Sequence, residues 1–379
     1  MKKGWEVKKL GEVCEFINRG ISPRYTEDNG LCVLNQKCIR DHKINYKFSR
    51  IHDNKIKPVS DEKLISIGDV LVNSTGTGTL GRVAQVHKIF TKSTVDSHIT
   101  IVRPINNLFH NDFFGYALIA IEEEIALKGE GCGGQTELAR NTLKNDFNIC
   151  YPKSLPEQQR IVAILDEAFA AIAKAKENAE KSLKNARELF ESYLENVNAK
   201  KELLGKLVDI ATGKLDANAA TENGQYPFFT CSREVFAIDR YAFDCEAILL
   251  AGNNAGGDFN VKHYQGKFNA YQRTYIITVN KESRILYRYL YYQLLRSLKE
   301  FKKQSVGVGT KFLKLGMIKS LNIALPSLLE QRPIVAKLDA LSAETKKLEA
   351  IYQKKLADLE ELKKSLLHKA FEGELTEAP

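Results

Sequence analysis

The sequence predicts an α+β protein in which two β-rich globular domains are separated by two long antiparallel coiled-coil helices, so that one chain carries an internal pseudo-two-fold repeat. Three observations predict it. Ser154 to Asp166, SLPEQQRIVAILD, and Ser327 to Asp339, SLLEQRPIVAKLD, agree at nine of thirteen positions with an offset of 173. Each is followed by a long Gly-free stretch with a sustained heptad seam, and each is preceded by short β-branched and aromatic runs broken by Gly, Asn and Asp. A chain of 379 residues is too long for one ordinary core, which agrees with two globular units.

The duplication extends in both directions. Leu189, Ser192 and Leu194 fall on Leu362, Ser365 and Leu367 at the same offset, and upstream TELARNTLKNDFNICYP meets TKFLKLGMIKSLNIALP at an offset of 174. A weaker echo sets KKLGEV, Lys8 to Val13, against GKLVDI, Gly205 to Ile210. The divisions expected are therefore 1–153 for the first domain, 154–200 for the first long helix, 201–326 for the second domain and 327–379 for the second helix.

In the first domain, LCVLNQKCI, DVLVNST, RVAQVHKIF and SHITIVRP read as strands, with a shorter helix around Phe113 to Ala126. In the second, PFFTCS, AILLAG and TYIITV are strands and Leu286 to Lys299 is the shorter helix. The long helices carry seams Ile161, Leu165, Ala168, Ile172 and onward, and Ile334, Leu338, Leu341, Thr345 and onward. The first seam is rich in Ala where the second is rich in Leu and Tyr, so an intramolecular antiparallel pair fits better than a homodimer. A first helix from about Pro156 to Ala199 would be ~65 Å long. Both starts have the Ser-x-x-Glu form of a capping box, Ser154 with Glu157 and Ser327 with Glu330. Pro333 lies inside the second, so that helix is expected to begin nearer Arg332 or to kink there.

Several functional classes fall away. No apolar run is long enough for a membrane span, and no signal peptide opens the chain. Seven scattered cysteines never form C-x-x-C, which argues for a reducing, cytoplasmic setting without disulfides or a zinc site. Gly76, Gly78 and Gly81 spell G-x-G-x-x-G, yet RVAQVHKIF after them is strand chemistry where a dinucleotide site needs a helix, and Walker A fails at Arg82-Val83. His98 and His263 lack partner groups and read as structural, so no catalytic residue and no metal ligand is assigned.

Binding is better supplied. A net charge of +9 favours a polyanionic partner. Lys37, Arg40 and Lys43 lie in a basic loop interleaved with Tyr46 and Phe48, and Lys262, Lys267, Gln272 and Arg273 play a comparable part in the second domain. The loop GTGTLG is flanked by Thr75 and Arg82 and carries Thr77, with AGNNAGGDF at the corresponding place in the second domain.

The paired helix starts PKSLPEQQRIVAILD and PSLLEQRPIVAKLD, the opening Trp5 to Val13 and the stretch GDVLVNSTGTGTLGRV together resemble the specificity subunit of type I restriction-modification systems over nearly the whole chain. That resemblance implies two target recognition domains that read the halves of a bipartite DNA site in the major groove, with the two helices as spacer. It implies docking of two modification subunits, here assigned to Glu157, Gln158, Ile161, Glu330, Gln331 and Ile334, and association with motor-endonuclease subunits. S-adenosylmethionine, ATP and magnesium would belong to those partners and none to this chain. For DNA contacts the candidates are Lys37, Arg40, Lys43, Thr75, Thr77, Arg82, Gln135 and Thr136 in the first domain. In the second they are Asn253, Asn254, Lys267, Gln272, Arg273 and Lys311. The competing readings are a non-catalytic coiled-coil scaffold and a nucleotide-cofactor enzyme using the Gly76–Gly81 loop.

Overall fold

The computed structural model describes residues 4–27, 29–131, 136–195 and 199–375. Its contacts divide it into two units, 1–177 with 355–379 and 178–354, so each unit takes one domain and a portion of both long helices.

The first unit runs β1 (Trp5–Lys9), α1 (Leu10–Val13), β2 (Cys14–Arg19), β3 (Tyr25–Thr26), β4 (Leu31–Leu34), β5 (Ile39–Arg40), β6 (Lys43–Ile44) and β7 (Arg50–His52). It continues with β8 (Val70–Asn73), β9 (Val83–Gln85), β10 (Ser93–Val95), β11 (Ile99–Pro104), α2 (Asn111–Ala120), α3 (Glu122–Leu127), α4 (Arg140–Asn145) and β12 (Asn148–Pro152). The antiparallel sheet β2-β11-β8-β9 lies at its centre, beside a second sheet β10-β4-β7-β3. Because side chains alternate along a strand, Val70 and Val72 of β8 enter one core with Phe113, Phe114 and Leu118 of α2. Leu71, between them, enters the other core with Leu34, Val95 and Ile101. Both faces are covered, which is why Val70 to Val72 are apolar without alternation. The single shorter helix expected here is two, broken at Ile121.

The long helix α5 (Leu155–Glu195) follows, then β13 (Lys201–Leu203), α6 (Leu204–Leu207), β14 (Val208–Thr212), β15 (Tyr226–Phe229) and β16 (Val235–Ile238). After them come β17 (Phe243–Ala251), β18 (Asn253–Ala255), β19 (Val261–Ala270), β20 (Thr274–Val279) and α7 (Tyr287–Gln304). The chain closes with β21 (Thr310–Phe312), α8 (Leu315–Lys319), β22 (Asn322–Ala324) and α9 (Leu328–Glu372). The second unit is built on one sheet, β14-β20-β17-β19-β15-β16. Ile248, Leu250 and Ile277 face Tyr289, Leu290 and Leu294 of α7, while Ala247, Leu249 and Ile276 pack on Phe229 and Phe268 across the sheet.

The repeat is visible contact by contact inside each unit. β1 pairs with β12, and β13 pairs with β22. The Leu10 amide donates to the Phe147 carbonyl at 2.9 Å, and the Leu204 amide to that of Leu321 at 2.8 Å. These pairs correct the register of the N-terminal echo. Leu10 and Val13 correspond to the equally buried Leu204 and Leu207, three residues off the alignment of KKLGEV with GKLVDI, because the buried face of the short helix fixes the match.

Within each unit the long helices run antiparallel. In the first, Ile161 and Leu165 share a core with Leu367 and Ala370, and Lys176 pairs with Glu360 further along at 2.7 Å. In the second, Phe190 and Tyr193 pack near Ile334 and Leu338, and Arg187 pairs with Glu349 at 2.7 Å.

Helix α9 begins at Leu328 and runs through Pro333, which corrects the later start expected from that proline. The capping box supplies the reason. The Ser327 amide and hydroxyl donate to Glu330 Oε2 at 2.9 and 2.7 Å, and the Glu330 amide donates to Ser327 Oγ at 3.4 Å. The proline costs the hydrogen bond to the Leu329 carbonyl, on an exposed turn where water can replace it. Pro333→Ala is accordingly expected to stabilise the second unit by about 1–3 kcal/mol in denaturant melts. A loss of stability would show that the exposed ring makes contacts worth more than the missing bond.

Candidate nucleic-acid interface

The glycine loop joins β8 to β9, two antiparallel strands, and no helix starts in it. Gly76, Gly78 and Gly81 all have positive φ, 98°, 73° and 89°, so the glycines serve the turn itself. The loop is braced from several directions. Gln36 Nε2 donates to the Thr75 carbonyl at 2.8 Å and reaches the Thr75 hydroxyl, which also meets His98 Nδ1 at 2.8 Å. The Gly76 amide donates to the Thr136 carbonyl at 2.9 Å. Arg82 Nη2 donates to the Gly78 carbonyl at 2.8 Å, so this guanidinium supports the loop it was expected to extend from.

The second unit repeats the device. The connection from β17 to β19 contains β18, which pairs with β21, Asn254 standing opposite Lys311. Thr75 makes a bridge to Glu137 in the first unit, and Glu137 falls on Lys311 at the offset of 174. In both units the loop at the end of a central hairpin is therefore held by the segment just before the small helix α4 or α8.

The candidates sort into groups. Lys37, Arg40 and Lys43 are exposed on a short helical turn and on the β5–β6 hairpin, whose turn residues Asp41 and His42 have φ of 52° and 56°. Asn35 caps that turn by accepting from the Lys37 amide at 2.9 Å. Thr77 is exposed and Thr136 half-buried, while Gln135 lies outside the described residues. In the second unit Asn253, Asn254 and Lys311 are half-buried, and exposed Arg273 stands 5.7 Å from the centre of the Phe312 ring. Asn254 Oδ1 accepts from the Asp258 amide at 3.1 Å, and Gln272 Nε2 donates to Asp216 at 2.5 Å. Arg233 meets Asp258 at 2.8 Å and holds that carboxyl below its ordinary value. Burial lowers the pKa of the Lys262 ammonium, whose Nζ donates to the Ser232 carbonyl and Asn260 Oδ1 at 2.6 Å each.

Lys267 does not join this group. It sits across from Asp244, at the far end of the β17–β19 hairpin and roughly 20 Å from the turn, with its ammonium over the Tyr241 ring at 4.7 Å.

Three of the residues assigned to partner docking are not available for it. Gln158, Gln331 and Ile161 are fully buried. Gln158 accepts from the His110 amide at 2.7 Å and donates to the Leu108 and Pro152 carbonyls at 3.2 and 2.9 Å. Gln331 accepts from the Leu286 amide at 2.8 Å and donates to the Arg284 and Pro326 carbonyls at 2.9 Å each. Each glutamine ties a long-helix start to the end of the preceding strand and to the entry of the shorter helix. Ile161 fills the first core and Ile334 packs half-buried against the second, whereas Glu157 and Glu330 stay accessible. About two turns beyond each glutamine, Tyr116 donates to Asp166 at 2.5 Å and Tyr292 to Asp339 at 2.6 Å. The two aspartates close the repeated motif, but their tyrosine partners carried no signal in the sequence.

Comparison with known proteins follows the same duplication. A model of the type I restriction modification DNA specificity domain matches residues 2–182 and again 196–357. The chain belongs to this family. It is 43% identical over 173 residues to the type I restriction enzyme EcoDI specificity subunit of Escherichia coli, a match that covers 46% of this chain and 38% of that protein's length. A solved chain from work on complex assembly and conformational transition of the type I R-M system superposes with a TM-score of 0.77 at 19% identity, covering 99% of both chains. The HsdS subunit from Thermoanaerobacter tengcongensis gives 0.56 at 18% identity, covering 99% of this chain and 98% of that one. These two likenesses are of fold. Among the described residues of this specificity-domain protein, no helix is long and apolar enough to cross a membrane.

Proposed function

We propose that the chain is the non-catalytic, cytoplasmic specificity subunit of a type I restriction-modification complex, and that it reads a bipartite site in double-stranded DNA. The observation that carries this reading is the repeated loop device, one in each unit, with exposed Lys37 next to the Gln36 that braces the first loop and with Arg273, Lys311 and Asn253 at the second. Cations neutralise phosphates, and Arg and Asn match base edges bidentately. Two modification subunits dock on the long helices, through surface positions such as Glu157 and Glu330, and motor-endonuclease subunits join them. S-adenosylmethionine, ATP and magnesium act on those partners. A dinucleotide enzyme is not supported, because the Gly76–Gly81 loop turns between two strands and presents no helix N-terminus to a pyrophosphate.

Methylation-sensitive sequencing of the host genome, with and without the gene for this chain, tests the proposal. A split adenine-methylated motif that disappears with the gene is expected. An undivided motif, or none that depends on the gene, would overturn it.

A further inference from the structure

At the end of α7 the chain forms a small finger. The Val306 and Phe312 amides exchange hydrogen bonds with each other's carbonyls at 3.2 and 2.8 Å, and the Thr310 amide donates to the Val308 carbonyl at 3.0 Å. The Gly256 amide donates to the Gly309 carbonyl at 3.2 Å, tying the finger to the β17–β19 turn. Gly307 and Gly309 flank the tip with φ of 116° and 79°, which a side chain would resist. Between them Val308 is fully exposed, and a Cβ added at Gly309 would meet nothing within 4 Å. The fold thus holds a stiff, β-branched apolar side chain out in open solvent, against the ordinary preference for burying it.

Its surroundings indicate what covers it. The stems of Lys302 and Lys311 come within 3.3 Å of where a Gly257 Cβ would stand, Arg273 lies over Phe312, and the nearby Asp258 is neutralised by Arg233. An apolar tip in a ring of cations is complementary to a DNA groove, where phosphates flank the base edges. In the major groove the apolar group on those edges is the C5-methyl of thymine.

We propose that Val308 is a specificity-determining residue that packs on the C5-methyl of a thymine in the half-site of the second domain, with Lys302 and Lys311 on flanking phosphates. This rests on the DNA-reading function proposed above. The first domain lacks the reader. At the offset of 174, GVGTKF falls on GGQTEL and Gly134 stands in the place of Val308.

The test uses the full chain and duplexes carrying its methylation-mapped motif, each thymine replaced in turn by deoxyuridine, which removes only the methyl group. One thymine, in one half-site, is expected to weaken wild-type binding about three- to tenfold on replacement. Val308→Gly should weaken binding to the intact site by a similar factor and abolish the effect of that uracil, while Val308→Ile retains it. The proposal is overturned if no uracil matters, or if the uracil effect persists in Val308→Gly. It is equally overturned if Val308→Gly binds DNA normally but loses the modification subunits, since the tip would then be a protein contact. Failure of the wild-type chain to prefer its mapped motif would instead remove the DNA-reading function itself.

Discussion

Replacing Gln158 or Gln331 by alanine is expected to destabilise the unit that holds it by about 3–5 kcal/mol. Each side chain is fully buried and makes three hydrogen bonds to main-chain groups. Alanine would leave one amide and two carbonyls without partners and open a cavity beside them. Glutamate keeps the size but cannot donate to the carbonyls, so Gln158→Glu and Gln331→Glu should fall nearly as far. Hydrogen exchange read by mass spectrometry separates the two units, and each variant should accelerate exchange mainly in its own. Losses below 1 kcal/mol would mean that water replaces the amide and that these residues are not structural anchors.

The second large effect concerns DNA. Arg40→Ala with Arg273→Ala should reduce affinity for the cognate site by roughly 2–6 kcal/mol in total, at about 1–3 kcal/mol per base contact, and should relax discrimination in both half-sites. Arg40 and Arg273 are exposed, so circular dichroism and melting should barely change. Binding titrations at two salt concentrations separate the outcomes: a loss confined to a shallower salt slope indicates phosphate contacts only. Unchanged affinity in the double variant would leave the chain as a coiled-coil scaffold.

Much of this architecture is local or periodic, and such features survive in sequence. The offset of 173 located both long helices, and Ser327 with Glu330 announced the cap that forms. The strand reading of RVAQVHKIF matches β9, which pairs antiparallel with β8 across the Gly76–Gly81 turn. Gln158 and Gln331 face inward for an equally physical reason. In PEQQR and LEQRP a polar residue within a repeated motif looks like a surface contact, and nothing in the local pattern distinguishes it from a polar residue whose partners are distant carbonyls. Pro333 misled because propensity counts the lost hydrogen bond and not the cap and core contacts that hold the turn.

The tandem duplication, the plan of each half as a β-rich domain followed by a long heptad helix, and the loops that carry the cations are all legible in the order of the residues. The folded chain is needed to see that β18 pairs with β21, more than fifty residues later, and that Lys267 lies at the far end of the β17–β19 hairpin. The same holds for Gln158 and Gln331, which face inward, and for Val308, which is fully exposed. These outcomes depend on which distant backbone groups meet a side chain, and that is set by the closing of the sheets over their cores rather than by any periodicity along the chain.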